Sequence, residues 1–515
     1  MAVLETLLGA GASSPWLCYS GVVVASILIW HASKMAYNLF LHPLRKFPGP
    51  VLQRASGIPW AVRHSSGTQA FHTQKLHDIY GPVVRIGPNH LTFTDVRAWK
   101  DIYGHLVGTK SSAPEMDKTD TFGRTLDDIP HSIVNAHREE HQRFRRALSH
   151  GFSDASMRQQ EPMIVKYVDL LLRRLHGEAA GNKALNMEAW YNWTTFDIAG
   201  DLIFGQSFGS LQGSEYHPWI EFILKTVKWG AVMIAMSYVG LHWLVQFIFR
   251  NAGFLAVKKV QGYTDAMVSD RLKLEPGRPD LFEGLVKHKE EWDLSFEKLS
   301  ANAFLLVLAG SETTATTLSG VTYLLLTHPD VMERLKKEVR SSFTGAEEIT
   351  ISSVSKLTYM LAVLNEALRL YPPVTSSLVR QVPREGAMVA GHWVPGGTFV
   401  EIQHWSMNHS KENWRDPWAF QPERFLSDPK KASEEGNRLE ALQAFSTGPR
   451  NCIGRNLAYA EMRLILARIM YDFDMRLADD SKQWIERQKA YSLWDRIPLH
   501  VYLAPVRPDR DSLEQ

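Results

Sequence analysis

The chain has 515 residues, of which 45% are hydrophobic and 22% charged, and its net charge is +2. This composition excludes a polytopic membrane protein and a disordered chain, and the mixed charges give no sign of a nucleic-acid-binding surface. Cys18 and Cys452 are the only cysteines. Two cysteines argue against a disulfide-stapled secreted fold and suit a reducing compartment.

The N-terminal segment contains no Asp, Glu, Lys or Arg between Glu5 and Lys34. About 20 apolar residues cross a bilayer as a helix, and Trp16 and Trp30 lie near the ends of the run, where aromatic belts form. Basic residues follow the run, which places the body of the protein in the cytosol. A cleaved signal peptide is the alternative, but no basic residue precedes the run.

Three regions follow from this pattern. Residues 1–40 are expected to form a membrane anchor. Residues 41–50 contain Pro43, Pro48 and Pro50, which break helices and predict a stiff hinge. Residues 51–515 show interleaved helical and strand patterns and no repeats, which predicts one mainly α domain with small antiparallel β-sheets.

Two segments of the body read as β-hairpins. Residues 81–94 hold a Gly-Pro-Asn turn between apolar runs, and residues 391–402 hold a Pro-Gly-Gly turn. Most of the remaining chain shows helical periodicity.

Two further apolar segments require interpretation. Residues 229–249 carry no charge and are long enough to span a membrane. We interpret them as amphipathic helices and a loop that dip into the membrane interface. Residues 299–326 are interrupted only by Glu312, which predicts a long helix buried inside the protein.

The most informative motif surrounds Cys452, in the run FSTGPRNCIG from Phe445 to Gly454. A lone cysteine cannot build a four-cysteine zinc site, but it can give one thiolate to a metal that has other ligands, such as heme iron. Gly448 and Gly454 allow close backbone approach and unusual backbone angles. A helix is predicted at 455–470, so its positive end stabilises a thiolate. A buried free cysteine is the alternative.

This motif resembles the heme-binding loop of the cytochrome P-450 monooxygenases. The resemblance implies that fold, a heme b cofactor, and Cys452 as the axial ligand of its iron. Phe445, Gly448, Arg450 and Gly454 then belong to the heme site, with Arg450 pairing with a propionate. Other residues implied to bind heme propionates are His141, where the family more often has tryptophan, Arg145 and Arg380.

The predicted buried helix holds Ala309-Gly-Ser-Glu-Thr-Thr314, which is similar to the family's oxygen-binding motif. The resemblance implies that Gly310 opens space for dioxygen and that Thr313 holds a hydrogen-bonding water there. Glu312 is implied to help deliver protons for cleavage of the oxygen–oxygen bond. A polar spot in a core helix is the alternative.

Another motif of the family is a buried charge triad. Glu366 and Arg369 are three residues apart and share a helix face, and Arg424 follows in the run FQPERF. The three residues resemble that triad, whose role is structural, locking the segment before the cysteine loop.

These motifs predict a membrane-anchored heme-thiolate monooxygenase that acts on a hydrophobic small molecule. Members from filamentous fungi that tailor secondary metabolites are similar. The implied partner is a separate NADPH-cytochrome P-450 reductase, the implied location is the endoplasmic reticulum membrane with a single pass, and the implied state is monomeric. Two alternatives are a same-fold isomerase or dehydratase that needs no external electrons, and a non-catalytic heme-binding membrane protein.

Overall fold

The structure is a computed structural model, and it describes residues 15–106, 115–123, 126, 129–181, 183–275, 277–376 and 379–506. The first 14 residues of the predicted anchor lie outside the described residues, as do positions 107–114, 377 and 378.

Helices dominate the described chain. They are α1 Pro15–Phe40, α2 Val51–Ala55, α3 Ile58–Ser65, α4 Gln69–Tyr80, α5 Arg97–Tyr103, α6 Asp120–Gly123, α7 Arg138–Ser149, α8 Asp154–Ala179, α9 Met187–Phe204, α10 Ser210–Gly213, α11 Pro218–Tyr238, α12 His242–Ile248, α13 Phe254–Arg271, α14 Glu283–Lys287, α15 Phe296–Thr327, α16 Pro329–Ser342, α17 Ile351–Val354, α18 Thr358–Leu370, α19 His404–Asn408, α20 Pro429–Glu434 and α21 Arg455–Asp472. A π-helical turn, Phe249–Gly253, joins α12 to α13. Short 3-10 helices are Pro43–Lys46, Ala346–Glu348, Pro422–Phe425, Leu439–Ala441 and Asp479–Ser481.

The strands are short. They are β1 Val83–Gly87, β2 His90–Phe93, β3 Asp117–Lys118, β4 Leu185–Asn186, β5 Arg380–Gln381, β6 Ala387–Val389, β7 His392–Val394, β8 Phe399–Glu401, β9 Phe473–Leu477, β10 Lys489–Tyr491, β11 Leu493–Asp495 and β12 His500–Pro505. The largest sheet has the order β1-β2-β8-β5-β3, and the smaller ones are β4-β12-β9, β10-β11 and β6-β7. All pairs are antiparallel except β2 with β8. The predicted fold class, mainly α with small, mostly antiparallel sheets, is confirmed.

The 81–94 hairpin is confirmed, because β1 and β2 pair antiparallel. The hairpin predicted at 391–402 is wrong. Strand β7 pairs back with β6, through a turn in which Ala390 and Gly391 both have positive φ, 48° and 81°, as a type I′ turn requires. Strand β8 instead joins β5 and β2, so the Pro-Gly-Gly turn passes the chain between two sheets.

The centre of the molecule is α15, which is buried along most of its length and packs against α9. Its N-terminus is capped by Ser295, whose hydroxyl accepts a hydrogen bond from the Lys298 N–H. The long buried helix predicted at 299–326 is therefore confirmed. Helices α18 and α21 pack against it as well, and this core positions the residues of the predicted site.

The 229–249 segment does not form one span. Helix α11 ends at Tyr238, Gly240 has a φ of +91°, and the short α12 follows. Trp229, Trp243 and Phe247 are more than 60% exposed, and α11 packs against α3. Among the described residues, the only helix long and apolar enough to cross a membrane is Tyr19–Phe40, near the N-terminus.

The end of α1 is fastened to the body. Asn38 is buried and donates its amide to the Ala55 carbonyl at 2.8 Å. The fully buried Arg85 of β1 donates to the Asn38 carbonyl at 3.0 Å and to the Pro88 carbonyl at 2.6 Å. One hydrogen bond therefore holds the last turn of α1 to the end of α2, and another holds it to the β1–β2 hairpin.

Candidate active site

The loop that carries Cys452 folds back on itself just before α21. The Cys452 N–H donates to the Phe445 carbonyl at 2.9 Å, which closes the loop around the cysteine. The Phe445 ring packs against Tyr459 of α21 at a centroid distance of 5.1 Å. Gly454 is the N-cap of α21, so the sulfur lies at the positive end of an 18-residue helix, as the sequence predicts.

The two glycines of this loop differ in what they allow. Gly448 has a φ of +77°, and a Cβ there would lie 1.9 Å from the Tyr103 carbonyl oxygen. Glycine is therefore required at 448 by the end of α5. Gly454 has an ordinary φ of −86°, and a Cβ there would make normal contacts with Phe152 and the Cys452 sulfur. The expectation that Gly454 supplies an unusual backbone angle is wrong.

The environment of the Cys452 sulfur contains opposing influences. Burial raises the pKa of the thiol, while a hydrogen bond from the Gly454 N–H and the charges of Arg145 and Arg455 lower it. Burial dominates, so the protein groups alone leave the pKa above its usual value. A metal cation bound at sulfur deprotonates a thiol outright, and the donor set around Cys452 suits such a ligand.

A cleft reaches the middle of α15. Ala309 and Gly310 are exposed, whereas most of this helix is buried. Nothing lies within 4 Å of the position that a Cβ on Gly310 would take. The half-buried Thr313 is on the same side, and its hydroxyl donates to the Ala309 carbonyl at 2.7 Å. That bond uses the hydroxyl proton and leaves the oxygen free to accept a hydrogen bond from water.

Glu312 points away from that cleft side and into a buried ion pair. The Arg496 guanidinium donates to both Glu312 carboxylate oxygens, at 2.7 and 2.8 Å, and to Asn192 Oδ1 at 3.0 Å. Glu188 lies 3.5 Å from the same guanidinium. Burial raises the pKa of Glu312, and Arg496 opposes that shift. The 309–314 motif therefore contains the Thr313 hydroxyl, which faces the cleft, and the Glu312 carboxylate, which is paired with Arg496 near the C-terminus.

Five basic side chains from four segments of the chain gather near the cysteine loop. They are Lys118, His141, Arg145, Arg380 and Arg450. Lys118, His141 and Arg380 are each less than 10% exposed. Burial lowers the pKa of Lys118 well below its ordinary value, and the charges of Arg380 and Arg450 lower it further. Basic groups brought this close together favour an anionic ligand.

Some members of this basic cluster already have protein partners. Arg145 donates to the Asn451 carbonyl at 2.7 Å and to the Asn451 side chain. Arg450 pairs with Glu115 at 2.8 Å, and its Nη2 makes no hydrogen bond within the described residues. Burial, with Arg450 nearby, lowers the pKa of His141 to about 3, so its ring is neutral and can donate a hydrogen bond without charge.

The charge triad predicted from the sequence forms one buried network. Arg369 donates to both oxygens of Glu366, at 2.7 and 2.8 Å, and Arg424 donates to Glu366 Oε1 at 3.3 Å. The two guanidinium groups also bind backbone carbonyls at Asn408, Pro417, Ala419, Arg415 and Asp416. The network thus fastens residues 408–424 to α18.

Together these features fit a porphyrin that carries iron and two carboxylates. Cys452 offers a sulfur at a helix N-terminus, the basic cluster offers partners for carboxylates, and Gly310 leaves open space on the central helix. Sequence reasoning missed Arg496, Lys118 and Glu115. Arg496 is 184 positions from Glu312, and no local pattern marks such a partner.

A mainly helical fold with a cysteine before a helix and a basic cluster beside it fits a heme-thiolate protein. The family model described as Cytochrome P-450 matches residues 49–500. This chain therefore belongs to the cytochrome P-450 family, whose cofactor is heme, and it is a monooxygenase of that family.

Several curated relatives from fungi are similar over nearly the whole chain. Cytochrome P-450 monooxygenase tpeC of Talaromyces stipitatus is 45% identical, over 95% of this chain and 95% of its own. Averantin hydroxylase of Dothistroma septosporum is 42% identical, over 94% and 90%. Trichothecene C-15 hydroxylase of Fusarium sporotrichioides is also 42% identical, over 92% and 95%. The comparison with fungal secondary-metabolism members is confirmed.

Proposed function

We propose that this protein inserts one atom of dioxygen into a hydrophobic small molecule, an intermediate of fungal secondary metabolism. Electrons come from NADPH through a separate NADPH-cytochrome P-450 reductase. The hydroxylase names of the fungal relatives support the reaction. The observation that supports the proposal most directly is the position of the Cys452 sulfur, which accepts a hydrogen bond from the Gly454 N–H at the start of α21.

Heme bound at this site supplies the activation of dioxygen and its insertion into substrate. Cys452 would provide the thiolate that binds the heme iron, and Gly448 and Phe445 hold the loop in shape. Arg145, Arg380 and Arg450 would neutralise the carboxylates of the cofactor, the neutral His141 would donate a hydrogen bond to them, and Gly454 donates to the sulfur.

The proton-handling residues lie on the central helix. Gly310 leaves room beside α15, and the Thr313 oxygen accepts a hydrogen bond from a water there. Glu312 holds a carboxylate in the same turn of helix, bound to Arg496. A proton that reaches the cleft through Glu312 first requires this ion pair to loosen, so Arg496 sets the resting position of the carboxylate.

The proposed organisation is an anchor at residues 1–40, a hinge at 41–50 and a single catalytic domain at 51–515. The anchor crosses the endoplasmic reticulum membrane once, and a monomeric catalytic domain faces the cytosol. Support comes from the apolar helix Tyr19–Phe40 and from exposed Trp229, Trp243 and Phe247 on the body.

The assignment is tested by Cys452→Ser. Thiolate-ligated heme gives a red-shifted absorption band when it is reduced in carbon monoxide, and a serine ligand cannot supply the sulfur electrons that cause the shift. We expect the wild-type protein to show the band and the variant to lose it. An unchanged spectrum in the variant contradicts the assignment. Product formation that depends on both NADPH and reductase separates the monooxygenase from an isomerase, a dehydratase or a non-catalytic heme protein.

A further inference from the structure

Apart from the cleft beside Gly310, a cavity lies between helices α3 and α11 on one side and Lys118 of the basic cluster on the other. It has a volume of about 100 Å³, well above the space that a single water needs. Its walls come from α3, α4, β3, α6, α11, β8, β10 and residues 374–376 and 379. Phe122, Ile234 and Val374 supply apolar surface, and Lys118 connects the cavity to the basic cluster. We call this space the polar cavity.

Four unpaired polar atoms belong to residues in its walls. Trp60, His64, Gln69 and Gln403 all line the polar cavity and are at most 9% exposed. Each has a buried polar atom with no hydrogen-bond partner among the described residues: the Trp60 indole N–H, His64 Nε2, Gln69 Oε1 and Gln403 Oε1. Buried polar groups in native proteins are nearly always satisfied, so four such atoms around one space indicate a hydrogen-bonding occupant.

A buried carboxyl completes the wall. Glu401 of β8 is 2% exposed, and it accepts a hydrogen bond from Gln403 Nε2 at 3.0 Å. His90 Nε2 lies 3.4 Å from Glu401 Oε1. Burial raises the pKa of Glu401 to about 7, and burial lowers the pKa of His90 to about 3. Near neutral pH Glu401 is therefore partly ionised, and burial also lowers the pKa of Lys118, the basic group in the same wall, well below its ordinary value.

The set of groups determines what fits. Trp60 can only donate, the two glutamine oxygens can only accept, and Glu401 accepts when ionised and donates when protonated. Burial lowers the pKa of His64 to about 4, so this ring is neutral too. A mixture of donors and acceptors suits a neutral group that both donates and accepts, which is the property of a hydroxyl.

We propose that the polar cavity binds the hydroxyl-bearing end of a neutral, otherwise apolar compound, the substrate or the product of the oxidation. This inference rests on the proposed function. The apolar walls take the carbon skeleton next to the hydroxyl, and the four unpaired atoms with Glu401 bind the hydroxyl itself. The compound is thereby held at its polar end while another part of it reaches the cleft beside Gly310.

Two-ended probes test this inference on the full-length holoprotein in detergent. Imidazole binds heme iron and shifts its absorption, so an alkyl chain on imidazole extends from the iron into the substrate space. The probes are a homologous series of 1-alkylimidazoles that end in a hydroxyl, each matched with a methyl-ended compound of equal length. Dissociation constants come from the absorption shift on titration.

We expect a change of preference with chain length. Short hydroxyl-ended probes bind more weakly than their methyl-ended partners, because their hydroxyl is buried without a partner. At the length that reaches the polar cavity, the hydroxyl-ended probe binds about tenfold more tightly than its partner, which corresponds to one good hydrogen bond. If no length reverses the preference, the polar cavity holds only water and the inference is overturned.

Variants locate the effect. Glu401→Met and His64→Phe each remove polar atoms from the cavity and keep similar volume, and each should remove most of the tenfold preference. Glu461→Gln is the matched control, because Glu461 is another fully buried carboxyl on α21, outside the polar cavity. It should keep the preference. Should Glu401→Met fail to fold, His64→Phe decides, since its ring still stacks on Trp60.

The carbon monoxide spectrum of each sample distinguishes failure of the proposed function from failure of the polar-cavity inference alone. A wild-type protein without the thiolate band overturns the proposed function and this inference with it. A normal band with a preference that survives both cavity variants overturns this inference alone.

Discussion

At the scale of single residues, buried carboxylates differ in their partners. Glu366 is bound by two arginines and Glu312 by one. Glu461 is 5% exposed and has neither a hydrogen bond nor an ion pair within the described part of the chain. An unpaired buried carboxyl favours its neutral form, so these residues respond differently to pH and to loss of a neighbour.

Glu461→Gln tests the cost of that unpaired carboxyl. Burial raises the pKa of Glu461 from 4.5 to about 8, so between these values the folded state holds more protons than the unfolded state. Its contribution to the free energy of unfolding therefore falls as pH rises through this window. At about pH 9 the free energy of unfolding of the variant should exceed that of wild type by a few kcal/mol, so the variant should melt at a higher temperature. At about pH 5 the two proteins should differ little.

The control for this experiment is the exposed Glu440→Gln, which should not change the melting temperature at either pH. An equal gain for Glu461→Gln at both pH values contradicts the titration and indicates a packing effect.

Arg496→Met tests the ion pair behind the central helix. The variant leaves Glu312 and Glu188 buried without their cation, and removal of one partner from a buried pair costs about 3–5 kcal/mol. We expect a large fall in melting temperature. Arg468→Met is a suitable comparison, because Asp169, the partner of Arg468, is one-third exposed, and its loss should cost less. Equal effects of the two variants would show that burial of Glu312 is not the cause.

At the scale of elements, the charge triad connects α18 to the chain that leads into the cysteine loop. Its carboxylate sits at the centre, and both arginines use their remaining N–H groups on backbone carbonyls of residues 408–419. This segment has little regular structure beyond Asn408. The guanidinium groups therefore supply the hydrogen-bond donors that its backbone carbonyls would otherwise receive from a helix or a neighbouring strand.

Glu366→Gln should prevent stable heme incorporation. The variant leaves two buried guanidinium groups without their counter-charge, at a cost of about 3–5 kcal/mol, and releases the segment before Cys452. The measurements are the ratio of heme to protein after purification and the helical circular dichroism signal. Glu423→Gln is the control in the same region, because its carboxylate is 52% exposed in its pair with Arg334 and should contribute about 1 kcal/mol or less. Full heme content in Glu366→Gln contradicts the structural role.

Local sequence patterns predict where helices and strands form better than they predict which strands pair with each other. The helix after Cys452 is predicted at 455–470 and observed at Arg455–Asp472, because helical periodicity is a property of neighbouring residues. The Pro395-Gly-Gly turn is the strongest turn signal in its region, yet the hairpin forms at Ala390 and Gly391. Alanine is a poor marker of positive φ, so the sequence gives little sign of that turn. Partners such as Arg496 depend on tertiary packing alone.

At the scale of the whole molecule, exposed apolar side chains lie on adjoining elements. Leu52 of α2 and Ile58 of α3 are exposed, as are Trp243 and Phe247 of α12. Helix α1 contacts α2, and α3 contacts α11, so the surface is continuous with the anchor. Such a surface fits the membrane interface.

Deletion of residues 1–40 should release much of the protein from membranes, with part retained through this apolar surface. The fraction in the pellet after sedimentation of membranes measures the effect. The same deletion with Trp243→Glu and Phe247→Glu should be fully released, because charges at the interface oppose insertion. Complete release by the deletion alone contradicts the role of the surface.

The buried contacts of Asn38 and Arg85 join α1 firmly to the body, so α1 is not a flexible tether. The catalytic domain cannot swing freely about the proline-containing segment without breaking these hydrogen bonds. Under the proposed anchoring, these contacts set the tilt of the body on the bilayer, and that tilt should not depend on the lipid composition.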